Sequence, residues 1–415
     1  MKNLKALIEN VQLNGKKASI LVNENRIESV NASRDKSGEV IDGNGTAIIP
    51  GFVNCHTHAA MSLLRGYADD FPLQKWLTEF IWPTEKKLSE KDVYWGAKLA
   101  CLEMIKGGTT CFVDMYFHLE ETAKATVESG IRGFLSEVFI GKRGIEIEKT
   151  FRHIEKMRNY SELIKPILGP HAIYTVEEEA LRKIAEKSER ENLLIHTHLS
   201  ETEREVKDCV KEHGERPVEY LEGIGFLSER VLNAHSVWLN SKEIKIMGER
   251  NVKAVHCPAS NMKLAVGKAM DFSALEKAGV TVALGTDGCA SNNNLSMLEE
   301  MKFAALLQKH HFNDATRLPA IEAFKMATES GAKALGLKCG KIEAGMLADF
   351  SLVDLSKVQL VPGHSLVSNL VYSANDSCID TVFCNGEILM QGGKVKGEEE
   401  IIEKAREQAM GWVSR

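Results

Sequence analysis

Between residues 48 and 345 this chain repeats one alternation: a short apolar or β-branched run, then a longer charged stretch with apolar residues at helical spacing. The runs that read as strands are Phe52–His58, Thr109–Met115, Arg132–Val138, Pro166–Gly169, Leu193–His198, Val231–Ser236, Val252–His256 and Val280–Thr286. The stretch "VEEEALRKIAEKSEREN" (176–192) typifies the helices between them. Strands that alternate with helices imply a parallel sheet with right-handed crossovers. Eight such units in roughly 250–300 residues fit a (β/α)8 TIM barrel. A doubly wound open sheet is the competitor, but "HTHAAMSLLRG" after the first strand is no G-x-G-x-x-G fingerprint.

The two ends read differently. "ASILVNENRIESV" holds an Asn-Glu-Asn turn between short strands, and "IDTVFCNGEILMQGGKV" carries Asn-Gly at a hairpin position. A barrel needs neither end. The expected division is therefore residues 1–47 and 346–415 forming one small β-sandwich, with a terminal helix, beside a barrel of residues 48–345.

A chain of 415 residues with 44% hydrophobic and 27% charged residues is composed like an ordinary globular protein. Its formal net charge is −6 and no basic tract stands out, which counts against nucleic acid as a main partner. No apolar run reaches the ~18 residues that span a bilayer, and the N-terminus lacks a secretory signal pattern. The nine cysteines are scattered without a C-x-x-C pair, as expected of reduced thiols in a cytoplasmic protein.

In a (β/α)8 barrel the chemistry sits at the C-terminal ends of the strands. "GFVNCHTH" ends the first strand with His56 and His58, which alternation puts on one face. "LGPHAIYT" puts His171 past the fourth strand, and "IHTHLSE" gives His198 and then Glu201. His235 ends the sixth strand, His256 the seventh, and "LGTDGCASNN" offers Asp287 after the eighth. Eight of the thirteen histidines fall at these ends, His196 and His118 included. Each taken singly has a plain structural reading: His196 and His256 as buried core groups, His118 as a surface residue, Asp287 as a turn former. Jointly, three imidazoles and a carboxylate at one mouth make an N/O donor set suited to zinc or iron, with room for water.

These residues resemble the amidohydrolase superfamily: H-x-H on the first strand, His on the fifth and sixth, and Asp after the eighth. Within it, "HTHLSETEREV", "VALGTDGCASNN" and "FPLQKWLTEFIWPTEKKL" look like the 5'-methylthioadenosine/S-adenosylhomocysteine deaminase family, which also takes 5'-deoxyadenosine. The resemblance covers nearly the whole chain. Two-metal members carry a carboxylated lysine after the fourth strand, whereas here Lys165 precedes that strand. The resemblance therefore implies one divalent metal, zinc first and iron or manganese next, held by His56, His58, His198 and Asp287. It implies a small nucleoside substrate and a homo-oligomer, a dimer or tetramer.

It also implies the remaining roles. Glu201, three residues beyond a ligand, would shuttle a proton from water to the purine ring, Asp287 would serve as ligand and base, and His235 would hydrogen-bond the attacking oxygen. Glu85 in "IWPTEKK" would accept from the ribose 2'- and 3'-hydroxyls, and His171 would contact substrate. Trp76 offers a purine-stacking face. Apart from the resemblance, Lys142 and Arg143 in "IGKRG" fall just after the third strand, on the same barrel face, where they would favour an anionic 5'-tail. One departure is Ile173 in "GPHAIYT", where relatives carry proline. The rivals are a guanine, cytosine or triazine deaminase or a cyclic-amide hydrolase on the same scaffold, and a barrel kept only for binding. The cytidine-deaminase fold is excluded by the missing P-C-x-x-C element.

Overall fold

The computed structural model describes residues 5–33, 38–141 and 145–413. Five strands open the chain: β1 (Lys5–Leu13), β2 (Lys16–Asn23), β3 (Arg26–Val30), β4 (Glu39–Asp42) and β5 (Thr46–Pro50). Nine follow with helices between most of them: β6 (Phe52–Thr57), β7 (Thr109–Tyr116), β8 (Arg132–Phe139), β9 (Ile164–Pro166), β10 (Gly169–Pro170), β11 (Ile195–Leu199), β12 (Val231–His235), β13 (Lys253–His256) and β14 (Val282–Leu284). The chain closes with β15 (Phe350–Asp354), β16 (Ile379–Cys384), β17 (Glu387–Gln391), β18 (Lys394–Val395) and the helix Glu398–Val413.

Strands β6 to β14 pair in parallel, in two runs. One run holds β6, β7 and β8 with β9 and β10, and the other holds β11 to β14. The eight expected strands are all there, but the fourth is split. Register against β8 is kept across the break, from Leu135↔Pro166 to Val138↔Gly169, and Ile167 N still donates to Leu135 O (3.0 Å) within it. A Cβ at Gly169 would collide with the Ser136 side chain, which is why a glycine stands at this crossing. The two runs curl toward each other at both edges. Leu168 N donates to Leu194 O (2.8 Å) and His198 N to His171 O (2.9 Å) on one side, and Asp287 N donates to His56 O (3.0 Å) on the other. The result is a TIM-barrel-like α/β fold.

The terminal strands form a single nine-stranded sheet ordered β18-β17-β16-β15-β5-β1-β2-β3, with β4 on β1. The antiparallel pair β5–β15, in register from Thr46↔Asp354 to Pro50↔Phe350, joins the two ends of the chain. Ile8, Ile20, Val22 and Ile27 share an apolar cluster with Phe350 and Phe383, the core of this β-sandwich domain. The hairpin between β16 and β17 turns on Asn385 and Gly386 with φ of 52° and 82°, the two positive values that a two-residue turn of right-handed twist demands. β5 runs past residue 47 and, after Gly51, passes straight into β6. The terminal helix packs on the parallel-sheet unit. Trp412 is buried and its indole N–H donates to Thr84 O (3.0 Å), beside a cluster that includes Leu64, Trp76 and Ile81.

All nine cysteines are buried and unpaired. No helix among the described residues is long and apolar enough to cross a membrane.

Sandwich and parallel sheet are clasped by a buried ion pair. Arg132, at the start of β8, meets Asp349 just before β15 (3.3 Å), and Asp349 also accepts from the Asn385 amide (2.7 Å). Removing one partner strands the other charge in the core, at about 3–5 kcal/mol. Asp349→Ala is expected to lose that much stability in urea unfolding; a loss below about 1 kcal/mol, typical of a surface pair, would contradict the clasp.

Candidate metal centre

Strand ends bring the predicted side chains together. His56 lies in β6 with His58 one residue past its end, and the period of two turns both inward. His196 and His198 repeat the device on β11. Where β12 and β14 end, the backbone turns sharply: His235, Ser236 and Asp287 have φ of 71°, 51° and 62°, as does Ser200 (52°) after β11. Left-handed backbone costs a non-glycine residue of order 1–3 kcal/mol, and such positions gather at functional sites. Here they aim His235 and Asp287 into the mouth.

The ligand atoms converge. His58 Nε2 is 3.3 Å from His198 Nε2 and 3.3 Å from Asp287 Oδ1, while His56 Nε2 is 3.4 Å from the same oxygen. Four donors at about 2.0–2.1 Å from a zinc ion lie about 3.3–3.4 Å from one another in a tetrahedron, so these spacings suit a cation at the centre. The other ring nitrogens point the same way. His58 Nδ1 donates to Met115 O (2.7 Å) and His198 Nδ1 to His171 O (2.7 Å), which leaves both Nε2 atoms as lone pairs facing each other. His56 Nε2 is buried without a hydrogen-bond partner. Bare lone pairs at that separation repel unless a positive charge sits among them. The residues present fit a divalent metal.

Electrostatics agree. Burial, set against the pull of Asp287, lowers His56 to about 4, and burial with its histidine neighbours holds His198 well below the usual range. Both imidazoles are therefore neutral donors at pH 7. Burial alone would raise the Asp287 carboxyl, but two donors favour its charged form. Asp287 Oδ2 accepts from Ser260 Oγ (2.7 Å) and Oδ1 from Gly288 N (2.8 Å), which fixes the carboxylate plane.

Glu201 lies beside the cluster, its Oε2 3.9 Å from His235 Nε2. Burial, helped by the charge of Asp287, pushes its carboxyl up to about 8. Its backbone is pinned by Glu205, which accepts from Ser200 N (2.7 Å) and Glu201 N (2.8 Å). His235 takes a hydrogen bond at Nδ1 from the Asn261 amide (2.9 Å), so its proton is on Nε2, facing the site.

One pocket joins these groups to the predicted substrate contacts, being lined by His58, Trp76, Glu85, His171 and Glu201. Trp76 opens a π-helical turn, Trp76–Ile81, an irregularity frequent at functional sites. Burial pushes Glu85 up to about 7 against the pull of the Tyr116 hydroxyl and His58. That hydroxyl is buried and has no hydrogen-bond partner within 3.5 Å among the described residues. His171 Nδ1 meets Thr175 Oγ1 (2.9 Å). Lys142 and Arg143 lie outside the described residues. His196, His256, Ser260, Asn261, Glu205 and Tyr116 also stand at the site, and only the first two were singled out from sequence, as core groups. Serine, asparagine and tyrosine carry no spacing signal that marks them as supports.

Removing the support of a ligand carboxylate typically costs 10–100-fold in metal affinity. Ser260→Ala is expected to weaken zinc binding by about that factor in a chelator competition. Unchanged affinity would mean that Asp287 is oriented without it.

Known proteins place this geometry. Residues 47–389 match the amidohydrolase family. The chain is 49% identical over 414 residues to "5-methylthioadenosine/S-adenosylhomocysteine deaminase 1" of Archaeoglobus fulgidus, covering 98% of this chain and 96% of that protein. It is 49% identical over 388 residues to the 5'-deoxyadenosine deaminase of Methanospirillum hungatei, with 92% and 86% covered. Among solved structures, an adenosine deaminase from Xanthomonas campestris with bound zinc superposes with a TM-score of 0.93 at 33% identity, covering 99% of both chains. This chain belongs to the amidohydrolase family, alongside the 5-methylthioadenosine/S-adenosylhomocysteine and 5'-deoxyadenosine deaminases.

Proposed function

We propose that this protein is a metal-dependent deaminase of adenine nucleosides with modified 5' positions, releasing ammonia and inosine-type products. The observation that carries the reading is a pocket with a carboxyl at each end: Glu201, buried beside the ligand cluster, and Glu85, half-buried with Tyr116 opposite. The first suits proton transfer at a ring, the second a ribose diol that a free base lacks. The deaminase relatives and the zinc-bearing neighbour support it. We infer that His56, His58, His198 and Asp287 hold one ion, zinc by preference, although the same donors suit iron or manganese. We also infer that the eight parallel strands close into a (β/α)8 barrel within residues 48–345, the sandwich coming from 1–47 and 346–415. Cytoplasmic placement and homo-oligomeric assembly belong to the same reading.

Held by these residues, a divalent cation would lower the pKa of a bound water from about 15.7 toward about 7. Glu201 takes a proton from the attacking water and delivers it to a ring nitrogen of adenine, so negative charge does not build on the purine as C6 is attacked. A carboxyl poised near neutrality suits a group that must both accept and donate. His235 donates from Nε2 to the attacking oxygen. Asp287 orients that oxygen and, as base, takes its remaining proton. As the C6–N bond breaks, Asp287 passes that proton to the departing amine, so ammonia leaves and the oxygen remains on C6 as the carbonyl. Glu85, once ionised, accepts from both ribose hydroxyls, while His171 and Trp76 border the ring and sugar.

The direct test is ammonia release from 5'-deoxyadenosine, 5'-methylthioadenosine, S-adenosylhomocysteine and adenosine, beside guanine and cytosine, on metal-loaded protein. Turnover of the free bases alone would overturn the reading. Glu201→Gln is expected to lower kcat by about 10²–10⁴ with the fold intact, and Asp287→Asn to lose most turnover together with metal. Because burial raises Glu85, it is protonated below about pH 7 and ionised above. kcat/KM for nucleosides is therefore expected to rise with pH through that value, and Glu85→Gln to flatten the rise. An unaltered pH profile in that variant would remove Glu85 from substrate binding.

A further inference from the structure

We propose that His196 is a positioning residue for the metal centre, fixing the tautomer of His56 so that its Nε2 lone pair always faces the ion. The inference rests on the metal-ligand reading above and extends it to a residue that touches neither ion nor substrate.

The hydrogen bonds run in one direction only. His196 Nδ1 lies 3.1 Å from Leu232 O, and a carbonyl oxygen can only accept, so Nδ1 carries the proton. His196 is wholly buried, with His56 at its other nitrogen and no acidic partner there, so a neutral ring is the form such a site tolerates. Its Nε2 is then an acceptor, and it stands 2.7 Å from His56 Nδ1. His56 must donate from Nδ1, which strips the proton from Nε2, the buried atom without a partner that points at Asp287. The chain reads from the β12 backbone through His196 and His56 to the centre.

The other two imidazoles achieve the same with backbone carbonyls, Met115 O for His58 and His171 O for His198. His56 alone of the three depends on a side chain. That makes its tautomer open to mutation, and it separates the two faces of the ring. An acceptor must occupy the position of Nε2 in residue 196, whereas the bond to Leu232 merely holds the ring.

Two substitutions divide these roles. In His196→Gln the amide oxygen overlays the imidazole Nε2 and keeps the acceptor for His56. In His196→Asn the shorter amide overlays Nδ1 and keeps only the bond to Leu232. Zinc affinity by chelator competition is expected to fall about 10–100-fold in His196→Asn and to be largely restored in His196→Gln, with far-UV circular dichroism and melting confirming both folds. In metal-free wild-type protein labelled with ¹⁵N-histidine, long-range ¹H–¹⁵N spectra should show His56 as the Nδ1–H tautomer, assigned by comparison with His56→Asn. The proposal is overturned if His196→Asn binds zinc like wild type, if Gln and Asn lose affinity equally, or if His56 carries its proton on Nε2 in the metal-free protein. The tautomer measurement decides even where a variant does not fold. A wild-type protein that binds no zinc at all would instead sink the metal-dependent reading.

Discussion

Everything at this site depends on keeping buried imidazoles neutral with one nitrogen already aimed. A histidine in water exchanges its proton between two nitrogens and rotates freely. Here the Nδ1 of His56, His58 and His198 is committed to a neighbour, so Nε2 is left bare in each. Burial strengthens that choice, because a charged ring without a partner is expensive inside the fold. Asp287 then supplies a negative charge, its carboxylate taking hydrogen bonds from Ser260 Oγ and Gly288 N. The cluster is a set of donors that only a cation completes.

The architecture makes this convergence inexpensive. Parallel strands all end at one mouth, so residues far apart in sequence, His56 and His198 among them, meet without long loops. The period of two delivers pairs such as His56 with His58, and left-handed backbone at His235 and Asp287 bends the last side chain of a strand inward. The flanking elements brace the pocket from outside. The terminal helix reaches Thr84, next to Glu85, and the Arg132–Asp349 pair ties the sandwich to the strand carrying Glu137 and Val138.

Much of this was legible in the sequence. Eight apolar runs with helical spacers announce parallel strands, and H-x-H, HTHLSE and TDG stand where such strands end. Tertiary detail was not legible. The break in the fourth strand at Ile167 and Leu168, and the close approach of Gly169 to Ser136 beside it, do not show in an apolar run. The terminal helix, expected with the sandwich, seats Trp412 against the Thr84 segment because its apolar face finds a partner there. His196 read as a core histidine because it is one, and its second role exists only through a neighbour 140 residues earlier. Ser260, Asn261 and Tyr116 are common residue types whose meaning comes wholly from what they face.

The central claim is that one cation sits among three Nε2 atoms and one Asp287 oxygen. X-ray absorption at the zinc edge of the loaded protein tests it most directly. The account predicts a first shell of nitrogen and oxygen only, at about 2.0–2.2 Å, with imidazole scattering from three rings that falls to two in His56→Asn. A shell containing sulfur, or imidazole scattering unchanged by that substitution, would contradict it.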